Sequence, residues 1–284
     1  MTDICVVHLV RAKNGIEPIR NFLESYLKFD GGIDHDLLIV FKGFRGESST
    51  RQYRQLLKDI SFKSIYTSDF GFDIRSYFLA VKKTNHKFFC FLNSFSAIRD
   101  HEWLLKLKLH LTRKGIGLVG ATGSYESAYS NLLFEQKSIG LTKEQIVRRL
   151  RHFLARTKYK HYFDPFPNYH IRTNGFMISR DVMRKIHHGI ILSKMDAHRF
   201  ESGKQSLTKQ VSQMNLHVLV VGKDGEGYKK RDWCRSDTFR QGRQDNLLIA
   251  DNQTNAYLHA DPESRRKLSE YAWGKGIYES SRKT

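Results

Sequence analysis

Short apolar runs alternate with helical periods through the first 121 residues, a rhythm that suits a sheet layered by helices and few other folds. Residues 4–10 are apolar except for His8, as in a strand buried on both faces. Pro18 suits a first helical turn, and Ile16, Ile19, Leu23, Tyr26 and Leu27 repeat at helical spacing until Gly31 and Gly32 break the pattern. Residues 37–41 read as a second strand, and 48–50 as a cap for a helix carrying Tyr53, Leu56, Leu57 and Ile60. A strand at 64–66, a helix marked by Ile74, Phe78 and Val81, a strand at 88–92, a helix at 103–111 and a strand at 118–121 complete the series. The fold class expected is α/β, with a mostly parallel central sheet and helices on both faces. Ligands of such sheets lie beyond the carboxyl ends of the strands.

The second half is less regular. Residues 142–145 read as a capping box. The helix it opens carries Ile146, Leu150, Phe153 and Leu154 on one side and Arg148, Arg149, Arg151, His152 and Arg156 elsewhere. A bent strand is expected at 171–179, a short helix at 181–188, and a helix through Leu207, Val211 and Met214 leading into a strand at 216–221. Beyond Gly222 the chain turns polar and glycine-rich, and the pattern predicts no further element. With no internal repeat or linker, residues 1–284 read as one domain with two lobes.

The chain carries 48 Lys+Arg against 29 Asp+Glu, a net charge of +19. That field points to anionic partners: nucleic acid, acidic lipid or a phosphorylated small molecule. Cys5, Cys90 and Cys234 lie far apart, which excludes a disulfide framework and a cysteine zinc site and fits a reducing compartment. No signal-peptide pattern opens the chain and no stretch has spanning length, so a cytoplasmic location is expected, with any membrane contact peripheral. Residues 115–120 match GxGxxG, but they follow a helix and enter a strand, the reverse of the dinucleotide fingerprint.

Residues 69–96 carry the most chemistry. A glycine turn feeds Asp73 and Arg75 into a helix start, and a buried strand ends in Asn93, Ser94, Phe95 and Ser96. Here the sequence resembles the GT-A class of nucleotide-sugar glycosyltransferases, in particular bacterial polysaccharide and O-antigen synthesis relatives. Residues 7–17, running from a strand through Arg11 and Asn14 into a helix, are similar to that class's first strand and turn. Asn93 to Ser96 fall where the class has its Asp-x-Asp motif, Asn174 to Ser179 resemble its acceptor-side strand, and Phe200-Glu201 resembles the segment bearing an inverting base. The likeness runs from residue 4 to 221 in the class's order.

The resemblance implies a single GT-A-like domain, with a nucleotide-sugar-binding half at 1–121 and an acceptor-binding half at 122–284 that ends in a lid. It implies donor contacts from His8, Arg11, Lys42, Asp73, Arg75, Asn93, Ser94 and Ser96, and acceptor contacts from Tyr125 and Asn174. His8 reads equally well as a core histidine, and Asp73 as a helix cap. Two departures qualify the likeness. The Asp-x-Asp position has no carboxylate, so no divalent metal cofactor is expected, since Mg²⁺ and Mn²⁺ favour charged oxygen ligands. Lys42 stands where the class often has acidic residues that contact the base, which argues against uridine.

Without a metal, the charge growing on the leaving diphosphate falls to cations. The tail supplies Lys223, Lys229, Lys230, Arg231, Arg235, Arg240 and Arg243. Glu201 is the first choice of general base for an inverting transfer, at an expected helix start, and Glu126 the second. The basic helix after Thr142 reads either as a core-packed surface helix or as a contact with an anionic membrane. The expected function is hexosyl transfer from a nucleotide-sugar donor to a glycan or lipid-linked glycan acceptor on the cytoplasmic side. The alternatives are a catalytically silent relative that binds nucleotide sugars or glycans, and a basic nucleic-acid-binding protein, for which no recognition motif stands in the sequence.

Overall fold

A computed structural model describes residues 2–137 and 143–275, with 135–137 and 143–152 described by their backbone alone. Among the described residues the central sheet has eight strands. They are β1 (Ile4–Arg11), β2 (Asp36–Lys42), β3 (Phe62–Thr67), β4 (Phe88–Leu92), β5 (Ile116–Gly120), β6 (Gly175–Ser179), β7 (His217–Val221) and β8 (Gly227–Tyr228). Their order across the sheet is β8-β7-β5-β6-β4-β1-β2-β3. β2 and β4 flank β1 in parallel, β3 continues beyond β2, and β7 lies parallel to β5. β6 runs antiparallel between β4 and β5, and β8 closes the edge antiparallel to β7. One hydrogen-bonded sheet thus crosses residue 121.

The apolar runs form strands because both faces are covered. Along β1, Cys5, Val7 and Leu9 enter one core layer while Ile4, Val6 and Val10 enter the other. The first layer is roofed by helices α3 (Phe72–Lys83), α7 (Arg180–Met183), α8 (Lys194–Ser202) and α9 (Leu207–Gln213). The second is roofed by α1 (Glu17–Lys28), α2 (Arg51–Leu56) and α4 (Trp103–Leu111). Each large side chain withdrawn from water contributes about 1.5–3 kcal/mol, so these layers dominate the stabilisation.

Several expected boundaries move. The cap at 48–50 is a 3-10 turn, Glu47–Thr50, whose Ser49 and Thr50 hydroxyls donate back to Gly46 O and Glu47 O instead of receiving a helical N–H. The bent strand at 171–179 is two pieces: His170–Ile171 pairs with Gly123–Ser124, and only β6 joins the main sheet. The helix expected at 181–188 stops at Met183. The capping box at 142–145 lies outside the described residues. The helix itself, α6 (Lys143–Tyr162), follows α5 (Ala128–Lys137), and Phe153 and Leu154 are exposed on it rather than packed on the core.

The described part of the tail is packed into the fold rather than standing over the pocket as a lid. Trp233, Phe239, Leu248, Ile249 and Ala250 are buried, Ile249–Ala250 pairs with Ala97–Ile98, and Trp273 Nε1 donates to Phe239 O at 2.7 Å. Aromatic anchors without a helical or strand period hold this segment, which is why no pattern announced it. It continues into α10 (Asn252–Leu258), opened by an Asp251 capping box, and α11 (Pro262–Trp273).

Candidate active site

The chain leaves β1 outward to β2 and β3, then returns to the other side of β1 as β4. This is the topological switch point, where a crevice opens beyond the carboxyl ends of the strands. A pocket lies there, lined by Arg11 and Asn14 after β1, by Ser94 and Phe95 after β4, and by Phe72 and Asp73 at the start of α3. Thr173 and Glu201 complete its wall from the second half of the chain.

Each wall has a local cause. Gly71 precedes α3 with φ +79°, and a Cβ there would stand 2.7 Å from Arg75 Cβ. Phe72 follows with φ 49°, an uncommon conformation for a bulky residue that places Asp73 in the first helical turn facing the pocket. The turn is clamped from below by Lys42, whose buried ammonium donates to Phe70 O at 2.7 Å and Ser68 O at 3.4 Å. Burial lowers the Lys42 pKa to about 8. Arg11 forks onto Asp69, with Nε to Oδ1 at 2.5 Å and Nη2 to Oδ2 at 3.0 Å. With Lys13 adding a third contact, hydrogen bonding from Arg11 holds the Asp69 carboxyl down at about 2. Desolvation raises the Asp73 carboxyl, with Lys42 and Arg11 opposing and Glu201 reinforcing the shift.

Glu201 sits in the last turn of α8, not at a helix start. Ser193 and Asp196 form the capping box that begins this helix, and Gly203 follows its end. Its carboxylate is held by Thr173, whose backbone N–H donates to Oε1 at 3.3 Å and whose hydroxyl donates to Oε2 at 3.2 Å. A carboxylate at the C-terminal end of a helix gains nothing from the dipole, so helix stabilisation does not explain its place.

Of the residues picked from sequence, Arg11, Asp73, Ser94 and Glu201 converge on the pocket. His8 does not. Its ring is fully buried, stacked on Phe22 with centroids 3.7 Å apart, and burial lowers its pKa to about 3. Lys42 supports the turn from beneath and does not reach toward a base. Arg75 leans outward over Phe70 and donates to Ser68 Oγ. Asn93 Oδ1 accepts from Phe95 N and Ser96 Oγ, and Ser96 Oγ donates to the buried Asn174 O, so these residues shape the loop. Asn174 is itself nearly sealed, accepting from Thr122 Oγ1.

Glu126 and Arg240 are bound to each other, Nη1 to Oε2 at 2.9 Å, in an interior network beside the Arg172–Asp251 pair. Neither is free for the roles expected of it. Lys230 donates to Ser212 Oγ in a different depression, with Lys209 and Asp164. Tyr125 is buried among Tyr169, Trp233 and Trp273 with its hydroxyl donating to Lys230 O, so it is a packing residue. Thr173 was not singled out from the sequence, and Asn14 was named only as part of the first turn, without a role. Thr173 had one weak clue, its place beside Asn174.

The Asn93–Ser96 loop does not fit a divalent ion. It offers no carboxylate, and its amide oxygen is already engaged twice.

Six parallel strands, with β6 inserted antiparallel among them, meet a crevice at the switch point in the element order that the sequence resemblance implied. The fold is α/β, a mostly parallel sheet with helices on both faces. No family model and no curated protein sequence matches the chain. Among solved structures, the mannosyltransferase PcManGT from Pyrobaculum calidifontis, in complex with GDP-Man and Mn²⁺, aligns at 11% identity and TM-score 0.49. That alignment covers 83% of this chain and 60% of that one, so the chain spans less than two thirds of the mannosyltransferase. Mouse xyloside xylosyltransferase 1, apo form, aligns at 13% identity and TM-score 0.42 over 77% of this chain and 84% of that one. Core-mannan synthase A from Aspergillus fumigatus, in its Mn/GDP form, aligns at 11% identity and TM-score 0.39 over 76% and 69%. These likenesses concern the course of the backbone.

Proposed function

We propose that this GT-A-like chain is a glycosyltransferase that moves a hexosyl group from a nucleotide-sugar donor to a glycan or lipid-linked glycan hydroxyl, with inversion and without a divalent metal. The reading is carried by one observation: Glu201, oriented by Thr173, faces Asp73 and Arg11 across the switch-point pocket. In this reading Glu201 takes the acceptor hydroxyl proton as that oxygen attacks the anomeric carbon. Asp73 positions sugar hydroxyls by accepting their hydrogen bonds. Arg11 lies on the donor side, where negative charge grows on the leaving phosphate oxygen as the glycosidic bond breaks. In this reading Arg11 and Lys13, which share the single carboxylate of Asp69, leave the net positive charge on the donor side, in place of the tail.

The test has two stages. Thermal midpoint is measured against nucleotides and nucleotide sugars, with and without chelator, because a ligand of the folded state raises stability. One nucleotide family is expected to raise it, and chelator to leave the shift intact. Glu201→Gln is then expected to keep that shift while losing about 10²–10⁴-fold in transfer, the usual scale of general base catalysis. A shift without transfer in the unaltered protein indicates the silent relative. No response to any donor, with tight and salt-sensitive binding to random DNA, overturns the reading in favour of nucleic acid.

A further inference from the structure

The loop at 187–192 joins α7 to α8, and three crevices surround it. Ile190 is 77% exposed and Leu192 64%, and Phe70 across the crevice is 48% exposed. Ile190 and Phe70 line one crevice, and exposed apolar side chains grouped in this way mark a contact. Around them the crevices are lined by Arg75, Lys82, Arg180, Arg184, Arg199 and Lys204. The acid among the lining residues is Asp196, already occupied by the α8 cap and by Arg199.

We infer that this loop, with the outer side of α3, seats the protein on an anionic lipid bilayer. Ile190 and Leu192 enter the boundary between headgroups and chains, while the surrounding lysines and arginines meet lipid phosphates with their stems along the apolar surface. Charge selects this occupant over a second copy of the chain. A symmetric pairing through the loop would bring two such cationic rings together, whereas an acidic membrane complements both the ring and its apolar centre. This surface differs from the α6 helix singled out in the sequence, although His161 and Tyr162 at the end of α6 border one of the crevices.

The inference does not depend on the transferase reading. It does give that reading a geometry, because α3 and α8 each run between this surface and the pocket. α8 begins at Lys194, just past Leu192, and reaches Glu201 in its last turn. Its nine residues rise about 13 Å, so a bilayer seated on the loop lies roughly one short helix from the candidate base.

Co-sedimentation with vesicles of equimolar phosphatidylcholine and phosphatidylglycerol, and with vesicles of phosphatidylcholine alone, tests the seat. The full chain is expected to partition onto the mixed vesicles at least about tenfold more strongly than onto the neutral ones. Ile190→Glu with Leu192→Glu, and separately Lys82→Glu with Arg184→Glu, are each expected to weaken that binding at least about tenfold. All four residues lie at the surface, so the melting curve should not move, and the shift from donor nucleotide should persist. Binding by either double variant equal to the unaltered protein overturns the inference. So does loss of binding only in Phe153→Glu with Leu154→Glu, which would place the seat on α6. Absence of vesicle binding, with a dimer that the loop variant converts to monomer, also overturns it and makes a second copy the occupant.

Discussion

Glu201 and Thr173 are joined twice, one carboxylate oxygen accepting from the threonine N–H at 3.3 Å and the other from its hydroxyl at 3.2 Å. The pair ties the end of α8 to the stretch just before β6, so the acid's direction is set by backbone as well as side chain. Thr173→Val removes one of the two bonds and leaves the fold's contacts in place. If Glu201 is the base proposed above, turnover in the sugar-transfer assay is expected to fall about 10- to 100-fold with little change in donor affinity, because that base is misplaced rather than lost. A change in donor KM with turnover unaltered would assign Thr173 to donor binding instead.

His8 tests the difference between a core residue and a ligand contact. Its folded pKa lies near 3 against 6.5 for an unhindered imidazole, so the unfolded chain binds more protons between those values. Stability is therefore complete above about pH 6.5 and declines as pH falls through that window. Neither ring nitrogen has a hydrogen-bond partner. His8→Phe should keep the stack on Phe22, retain donor-induced stabilisation and melt no lower at pH 7. It should also lose its share of the acid-side decline, read from melting curves taken between pH 7 and 4.

Lys42 holds two carbonyls of the turn that presents Asp73. Lys42→Met strands both acceptors and is expected to cost about 1–3 kcal/mol in denaturant unfolding, and to weaken donor binding through the displaced turn. The lysine's folded pKa is about 8 against 10.5, so the unfolded chain again holds more protons in between. The unaltered protein should gain stability as pH rises from 8 towards 10.5, and Lys42→Met should lack that gain.

Asp69 has the opposite chemistry but the same sign. Held near 2 against 3.8, it contributes stability above about pH 4, lost as pH falls towards 2. Asp69→Asn should flatten that part of the acid limb, measured as the difference between the two melting curves. It should also release Arg11 from its fork, seen as altered donor affinity at neutral pH.

Much of the sheet was legible because buried parallel strands are written as unbroken apolar runs, and β1, β2 and β4 are three such runs. Arg11, Asp73 and Ser94 were legible for a related reason, since polar residues directly after those runs, or at the next helix start, fall at the carboxyl edge. His8 was not decidable from its run, because a strand covered on both sides gives no parity of exposure, and only Phe22 on α1 settles where the ring goes. Glu201 does line the switch-point pocket, but the sequence put it at the wrong end of its helix. Ser193 and Asp196, which begin α8, lie in a stretch with no strong apolar period. Glu126 and Arg240 looked available separately, and nothing in their spacing announces that they neutralise each other. Thr173 contributes a backbone amide and a small hydroxyl, groups that leave almost no mark in a sequence.

The placing of β6 has a mechanical consequence. Its residues pair with β4 along one edge, from Phe88–Ser179 to Leu92–Gly175, and with β5 along the other. A hinge between residues 1–121 and 122–284 would have to tear both of these ladders open, which makes clamshell motion too costly a way to grip a substrate. Tightening round a guest falls instead to the pieces that carry no ladder, the strained Gly71–Phe72 corner and the last turn of α8. The protein is built to grasp with its fingertips, its palm being a single rigid plate.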